Sequence, residues 1–445
     1  MAKQSSAPRK KTPVDCWDPA ETLDPVLLRD LQVERLHAQM RRAQQVPFYR
    51  KAFEASGLKP EDIWSPEDIR HLPITTKDDL RDHYPLGFLA VPRSEVARYH
   101  GSSGTTGKPT FVAYTRNDVA TWADLCARFL YAGGLRPEHT VHVAFGYGLF
   151  TGGFGLHYGI EKVGAAVVPV AAGNTQRQIL LLQDLEPEVL ICTPSYALNI
   201  AEVCREEGVD PHDLKLRYGH FGGEPWTEKM RQQIEAELGI EAFNNYGLSE
   251  VLGPGVSGEC AEHNGMHIQE DHFLVECVDP DTLEPVTDGS YGELIFTNLT
   301  KEAMPILRYR TRDIAALETC PCPCGRTSVR MHRVVGRTDD MLIIRGANVY
   351  PSQIEESLLR VEGVAPHYLI ELHRPGALDE VTVKVEVLPA FFSDKMRLMQ
   401  ALREDIQRRI ETTTGVRMQI ELVPPQTLER SIGKSKRVLD HRNMA

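Results

Sequence analysis

No run of 18 apolar residues occurs anywhere in this 445-residue chain, which excludes a transmembrane helix. Positive charge is also short. Lys and Arg number 50 against 62 Asp and Glu, and the net charge of −12 argues against nucleic acid or an acidic membrane surface as the main partner. Internal repeats and long low-complexity segments are missing. The N-terminal MAKQSSAPRKK is basic, but no apolar stretch follows it. It does not read as a signal peptide, and residues 1–34 are expected to be partly a disordered tail. Nine cysteines, an odd number with no secretory signal, point to a reduced, cytoplasmic setting.

What is present is enough for more than one domain. The length suggests two or three, and 42% apolar residues suffice for a sizeable core. Between about 120 and 300, short β-rich runs alternate with helical stretches. Val141–Phe145, Ala166–Val170 and Val189–Cys192 read as buried strands and Glu228–Leu238 as a helix. This predicts an α/β fold, a large N-terminal domain of β-sheets flanked by helices. After Gly336 the texture changes. Met341–Ile344 reads as a strand, and a capping box at Ser352–Glu355 predicts a helix starting at Pro351–Ser352. Val381–Val387 alternates with period two, one face dry and one wet, and Val416–Val423 reads as a further strand. Ser393 is expected to cap a helix with Met399, Leu402, Ile406 and Ile410 on one face. This is a small α+β unit, and the polar Gly336-Arg-Thr-Asp-Asp segment sets the division at 1–337 and 338–445.

Residues 101–110 read GSSGTTGKPT. A P-loop needs a glycine where Ser102 stands and a hydroxyl where Pro109 stands, so that reading fails twice and a kinase or related NTPase is disfavoured. What remains is anion-binding chemistry (backbone N–H groups, hydroxyls and Lys108), with a plain Ser/Thr/Gly linker as the alternative. Four further stretches are individually weak. Phe221-Gly-Gly-Glu-Pro-Trp226 lets backbone approach a flat ring, or is simply a tight turn. In Asn244-Asn-Tyr-Gly-Leu-Ser-Glu250 the tyrosine can stack on a base and the carboxylate can hold Mg²⁺, or face solvent. Asp313 in Arg308–Asp313 can accept ribose hydroxyls or sit in an internal salt bridge. Gly433-Lys434 can deliver a cation to a reacting phosphate or be a solvated tail.

Their order and spacing are specific. With FGYGLFTGGFG at 145–155, TPSY at 193–196, EDHF at 270–273, YRTRD, GRTDDMLIIRGANVYPSQIE and GKSKRV, the chain resembles the adenylate-forming superfamily, and within it the phenylacetate–CoA ligase family, from about residue 35 onward. The resemblance implies two half-reactions: a carboxylate attacks the α-phosphate of MgATP, giving acyl-AMP and diphosphate, and the CoA thiol then displaces AMP. It also implies the residue roles. Ser102, Ser103, Gly104, Thr105, Thr106, Gly107 and Lys108 would cradle the β- and γ-phosphates. Gly223, Glu224, Pro225, Asn245 and Tyr246 would line the adenine, and Asp313 the ribose, with Arg337 nearby. Glu250 would hold Mg²⁺. Lys434, on a small mobile domain, would bridge carboxylate and α-phosphate. Asp339 would be the hinge and Gly346 would face the CoA path.

For the acid pocket, the resemblance favours Tyr147 and Phe150, with Gly222, among aromatic rings interleaved with glycines. No cation stands in residues 145–155 to meet a second carboxylate on the acid. Phenylacetate is the expected acid, with hydroxyphenylacetate, indoleacetate or a benzoate as alternatives. The other readings are transfer of acyl-AMP to a carrier protein and a non-catalytic acyl-nucleotide-binding protein. A homodimer is expected by family analogy.

Cys320, Cys322 and Cys324 lie among prolines and a glycine. In a reducing compartment such thiols suit a soft metal. A structural Zn²⁺ on Cys260, His267, Cys322 and Cys324 is expected, with Cys320 and His263 as alternates and free thiols in a turn as the alternative reading.

Overall fold

The computed structural model describes residues 15–102, 109–345, 347–374, 379–392, 396–430 and 437–442. Ser103–Lys108, Gly346, Ser393 and Lys434 lie outside them.

One 12-stranded sheet runs through the larger part. Ala166–Val168, Thr140–Val143, Val189–Cys192, Tyr218–Phe221 and Glu241–Leu248 follow one another in parallel. Val189–Cys192 is buried at all four positions, as a parallel strand covered on both faces must be. The sheet then turns antiparallel through Gly253–Glu259, Met266–Ile268, Arg330–Met331, Tyr309–Glu318, Tyr291–Asn298 and Phe273–Val278. Strands crossing to helices in the first half and hairpins in the second make the mixed α/β architecture expected from the alternating pattern.

Helix Arg116–Ala132 shows how local sequence positions the site. Thr115 Oγ1 accepts the Asp118 N–H at 3.0 Å, and the Asp118 carboxylate accepts the Thr115 N–H at 2.8 Å. That capping box starts the helix. The same carboxylate accepts the N–H groups of Glu302 (2.6 Å) and Ala303 (2.9 Å), so the cap also pins the loop leading to Tyr309–Glu318. Helix Gly152–Val163 packs against this helix at very close range. A Cβ at Gly155 would lie 2.4 Å from Trp122, and one at Gly159 2.4 Å from Cys126. Gly155 and Gly159, one turn apart, therefore set the separation of the two helices.

The smaller unit has its own four-stranded sheet, ordered Gln419–Val423, Glu380–Val387, Val364–His373, Val438–Asp440. Its core, from Leu342 to Ile420, is a separate cluster. Ile406 and Ile410 of helix Met396–Thr414 are buried there, as the apolar periodicity requires.

Two details of this unit differ from the sequence expectation. Helix Pro351–Leu358 starts where predicted, but Tyr350 is its N-cap, with its N–H donated to Gln353 Oε1 at 2.9 Å. Ser352 instead donates its hydroxyl to Val335 O, and Glu355 is buried. The predicted box sits two residues too late because both of its side chains are engaged by distant segments. The wet face of Glu380–Val387 is likewise incomplete. Glu386 is 1% exposed, covered by the turn that ends at Arg430.

Gly155→Ala should cost about 1–3 kcal/mol through overpacking against Trp122. Thermal unfolding of the full chain should show a lowered Tm. Gly148→Ala, where a Cβ meets nothing within 4 Å, should not change it. Equal Tm values for the two variants would refute this account of the helix contact.

Candidate active site

Strands Arg98–Gly101 and Phe111–Tyr114, which flank the Ser/Thr/Gly stretch in sequence, pair antiparallel. Ser102 donates its N–H to Thr110 O at 3.0 Å, closing the base of the loop. The Gly-Gly-Glu-Pro segment follows strand Tyr218–Phe221. Gly222 is forced by close approach, since a Cβ there would meet Asn245 Oδ1 at 2.6 Å. Asn245 holds the turn by donating its amide to Phe221 O at 2.8 Å. Gly223 has φ +83°, a conformation that disfavours any side chain. The Glu224 carboxylate accepts the Ser195 N–H at 2.8 Å, tying this turn to the Thr-Pro-Ser-Tyr segment.

Tyr246 and Asp313 meet directly. The Tyr246 hydroxyl donates to Asp313 Oδ2 at 2.6 Å, and its ring stacks on Phe296 at 5.9 Å. Burial, then the Asp313 carboxylate, hold the Tyr246 hydroxyl well above its ordinary pKa, so it stays a donor. Asp313 Oδ1 accepts from Arg337 at 2.7 Å, and the same guanidinium grips both oxygens of Asp339 at 2.9 and 3.1 Å. The salt-bridge reading of Asp313 therefore holds in this structure.

Glu250 is 7% exposed and faces Lys77 Nζ at 3.7 Å. Sequence reasoning missed Lys77, which stands in Thr-Thr-Lys-Asp-Asp. Its partner is far along the chain, and the only local signal was the Thr76–Asp79 capping box of its short helix.

Tyr147 joins a ring cluster. It meets Phe154 edge-on at 5.3 Å, and its hydroxyl is 3.2 Å from His157 Nδ1. Phe150 is not part of this cluster and is 49% exposed. Phe145, a ring of the same glycine-interleaved stretch, lies 3.5 Å from where a Cβ at Gly223 would stand. Residues 145–155 hold no cation, but one arrives from the neighbouring hairpin. The Arg98 guanidinium lies over Phe154 and Tyr158, at 5.1 and 4.8 Å.

Cys260, His267, Cys322 and Cys324 converge, with all four ligand atoms within 4.8 Å of one another. Cys260 Sγ is 3.8 Å from Cys322 Sγ, and Cys324 Sγ is 3.4 Å from His267 Nε2. His267 Nδ1 lies 3.1 Å from Ser328 Oγ, which fixes the ring. The alternates point elsewhere. Cys320 is exposed and bonded to Glu318 and Arg330. His263 pairs with Glu241 at 2.9 Å and stacks on Phe243 at 4.7 Å.

Placed on this geometry, the comparisons with known proteins agree. Residues 81–299 match the AMP-binding enzyme family and 346–442 the AMP-binding enzyme C-terminal domain. The structure is similar to 2-hydroxyisobutyryl-CoA ligase in the post-adenylation state with 2-HIB-AMP, at a TM-score of 0.91 and 30% identity over 100% of this chain and 96% of that one. Against the same enzyme in its thioesterification state the score is 0.71 at the same identity and coverage, so the two units here are arranged as in the post-adenylation form.

The fold and site define an AMP-forming acid–thiol ligase, a class that uses ATP and CoA, generally with Mg²⁺. Phenylacetate–coenzyme A ligase of Thermus thermophilus is 53% identical over 95% of this chain and 98% of its own length. That of Escherichia coli is 47% identical over 96% and 98%. The chain belongs to the phenylacetate–coenzyme A ligase family.

Near the cysteine cluster, in Glu-Asp-His-Phe, the Glu270 carboxylate accepts the Val329 N–H at 2.7 Å. Burial pushes its pKa from 4.5 up to about 7. The folded state thus binds this proton more tightly than the unfolded state, and stability falls as pH rises through that window. Glu270→Gln should raise Tm at a pH above 7 and leave it nearly unchanged at pH 4.5. An equal change at both pH values would show that the ionised carboxylate is not the source of the loss.

Proposed function

We propose that this enzyme joins phenylacetate to CoA, with ATP converted to AMP and diphosphate. What supports the reading is that Phe145, one ring of the 145–155 stretch, lies 3.5 Å from where a Cβ at Gly223 would stand, beside the turn proposed to line the adenine. A substrate carboxylate oxygen attacks the α-phosphorus. The bond to the bridging β-phosphate oxygen breaks, and diphosphate leaves with the electron pair. The CoA sulfur then attacks the acyl carbon, its proton passes to solvent, and the C–O bond to AMP breaks. A carboxylate is a poor acyl donor and its mixed anhydride with AMP a good one, so one hard step becomes two easier ones.

In this reading Ser102–Lys108 cradle the outer phosphates and Gly222–Pro225, Asn245 and Tyr246 surround the adenine. Asp313, held by Tyr246 and Arg337, accepts the ribose hydroxyls. Lys434 offsets charge building between carboxylate and α-phosphate. Residues 338–445 turn about Asp339 between the half-reactions, and Gly346 faces the CoA path. Glu250, a buried carboxylate whose partner Lys77 can release it, suits Mg²⁺. The ion would neutralise phosphate charge. Tyr147 lines the aryl pocket. Phe150, exposed as it stands, closes on the acid only if its segment shifts inward.

The test is diphosphate release from ATP across phenylacetate, 4-hydroxyphenylacetate, indoleacetate and benzoate, with and without CoA. Phenylacetate should give the highest rate, and Lys434→Ala should lower it by roughly 10²-fold. A higher rate with another acid would reassign the substrate, and an unchanged Lys434→Ala rate would remove the lysine from the chemistry.

We further propose a structural Zn²⁺ on Cys260, His267, Cys322 and Cys324. A tetrahedral ion with Zn–S near ~2.3 Å keeps its sulfurs about 3.8 Å apart, the spacing of Cys260 and Cys322. The donor set is closed, so the ion would brace the segment before Arg330 and take no part in acyl transfer. Purified protein should carry about one zinc per chain. Cys322→Ser should lose it and lower Tm, whereas Cys320→Ser should do neither. Metal-free wild-type protein of unchanged Tm would reject the site.

A further inference from the structure

The chain enters the Lys434 segment through Arg430, and the contacts of Arg430 lie on both units. Its Nε and Nη2 donate to Glu202, on helix Pro194–Glu206 of the larger unit, at 3.2 and 3.0 Å. Its Nη1 and Nη2 donate to Glu386 of the smaller unit at 2.8 and 2.9 Å. Glu386 also accepts the N–H groups of Gln426 and Leu428, at 3.2 and 2.7 Å. The turn before Arg430 is thus fixed to its own sheet, and Arg430 carries it across to Glu202. His367 reaches the same Glu202 carboxylate at 3.6 Å, and Gln426 donates to Glu206 one turn further along the helix.

After the segment, Arg437 is fixed within the smaller unit. It donates to Pro366 O at 3.0 Å, lies over the Tyr368 ring at 4.5 Å and pairs with Glu355 at 3.7 Å. Of these two arginine anchors, the one at Arg430 ties the segment to the larger unit. Burial alone would push the Glu202 carboxyl upward, but His367 and Arg430 outweigh it and bring it to about 2, so the carboxylate is charged at any working pH.

We propose that Glu202 is a positioning residue for acyl-adenylate formation: through Arg430 it holds the chain entering the Lys434 segment against the larger unit, and this bridge must open for the second half-reaction. The inference rests on the ligase reading above. It is selective because Glu386 stays bound to Arg430 when Glu202 is lost. Glu202→Gln breaks only the contact between units and leaves no buried cation unpaired, unlike most truncations of a buried pair.

The experiment measures the halves separately on the full chain: diphosphate release with phenylacetate and ATP, and thioester formation from supplied phenylacetyl-AMP and CoA. Glu202→Gln should slow the first about tenfold, in kcat rather than in the KM for ATP, since fewer molecules hold the competent arrangement. The second should be unchanged or faster. Glu202→Asp should restore part of the first rate. Equal losses in both halves, a KM effect only, or no effect on the first half would overturn the clamp while leaving the ligase reading intact. A wild-type chain inert in both halves would instead overturn the ligase reading.

Discussion

The guanidinium of Arg337 is the joint on which the site and the start of the smaller unit both depend. It binds Asp313 at 2.7 Å and Asp339 through two hydrogen bonds, with Asp340 3.5 Å away. Taking such a cation out of water is costly, and the surrounding carboxylates offset that cost. The strand pairing of Asp313 with Arg337 makes the contact geometric as well as electrostatic. Tyr246 and Arg337 hold the Asp313 carboxylate from two sides, the fixed placement that the proposed ribose contact would need. Arg337, which holds Asp313, is thus two positions from Asp339. A change of backbone at Asp339 is felt at Asp313 through one side chain.

How much of this could be read from the sequence depends on whether the partners were local. The parallel half of the sheet was legible because Val189–Cys192 is apolar throughout, a pattern only a doubly covered strand needs. The antiparallel half was not. Met266–Ile268 pairs with Arg330–Met331, and no period or turn signal links two stretches so far apart. Glu355 failed for the same reason. Three residues after a serine it looks like a capping residue, yet it is buried because Arg437 and Tyr368 lie over it. Lys77 and Arg98 stand outside every motif, and their partners, Glu250 and the Phe154–Tyr158 rings, are set only by the fold.

The cysteine cluster lies between these cases. Three cysteines within five residues are conspicuous. What sequence could not decide was which thiols turn inward. The structure does so by charge. Arg330 is buried and needs acceptors, and it takes Cys320 together with Glu318, leaving Cys322 and Cys324 to face Cys260 and His267. The same turn then reaches the N-terminal segment, where Arg326 pairs with Glu21 at 2.6 Å and Thr327 donates its N–H to Glu21 O at 3.1 Å. A local thiol cluster thereby holds together stretches near residues 21, 267 and 326.

The proposed alternation between two arrangements constrains how the units may touch. Each must be stable alone, so the apolar core of the smaller unit closes on itself from Leu342 to Ile420. Among the described residues, Leu359 is the side chain of that unit recorded against the larger unit's second core. Polar contacts between the units include Arg430, His367 and Gln426 against Glu202 and Glu206, with Ser352 on Val335 O and Glu356 beside Arg333 nearer the division. Exposed ion pairs contribute about 0–1 kcal/mol each, and 1.4 kcal/mol is a tenfold shift in an equilibrium. A few half-buried pairs can therefore bias one arrangement by one or two orders of magnitude and still release it. A broad apolar interface would hold the units in one state, and none at all would leave their arrangement to chance. The charged helix face at Glu202 and Glu206 lies between those limits.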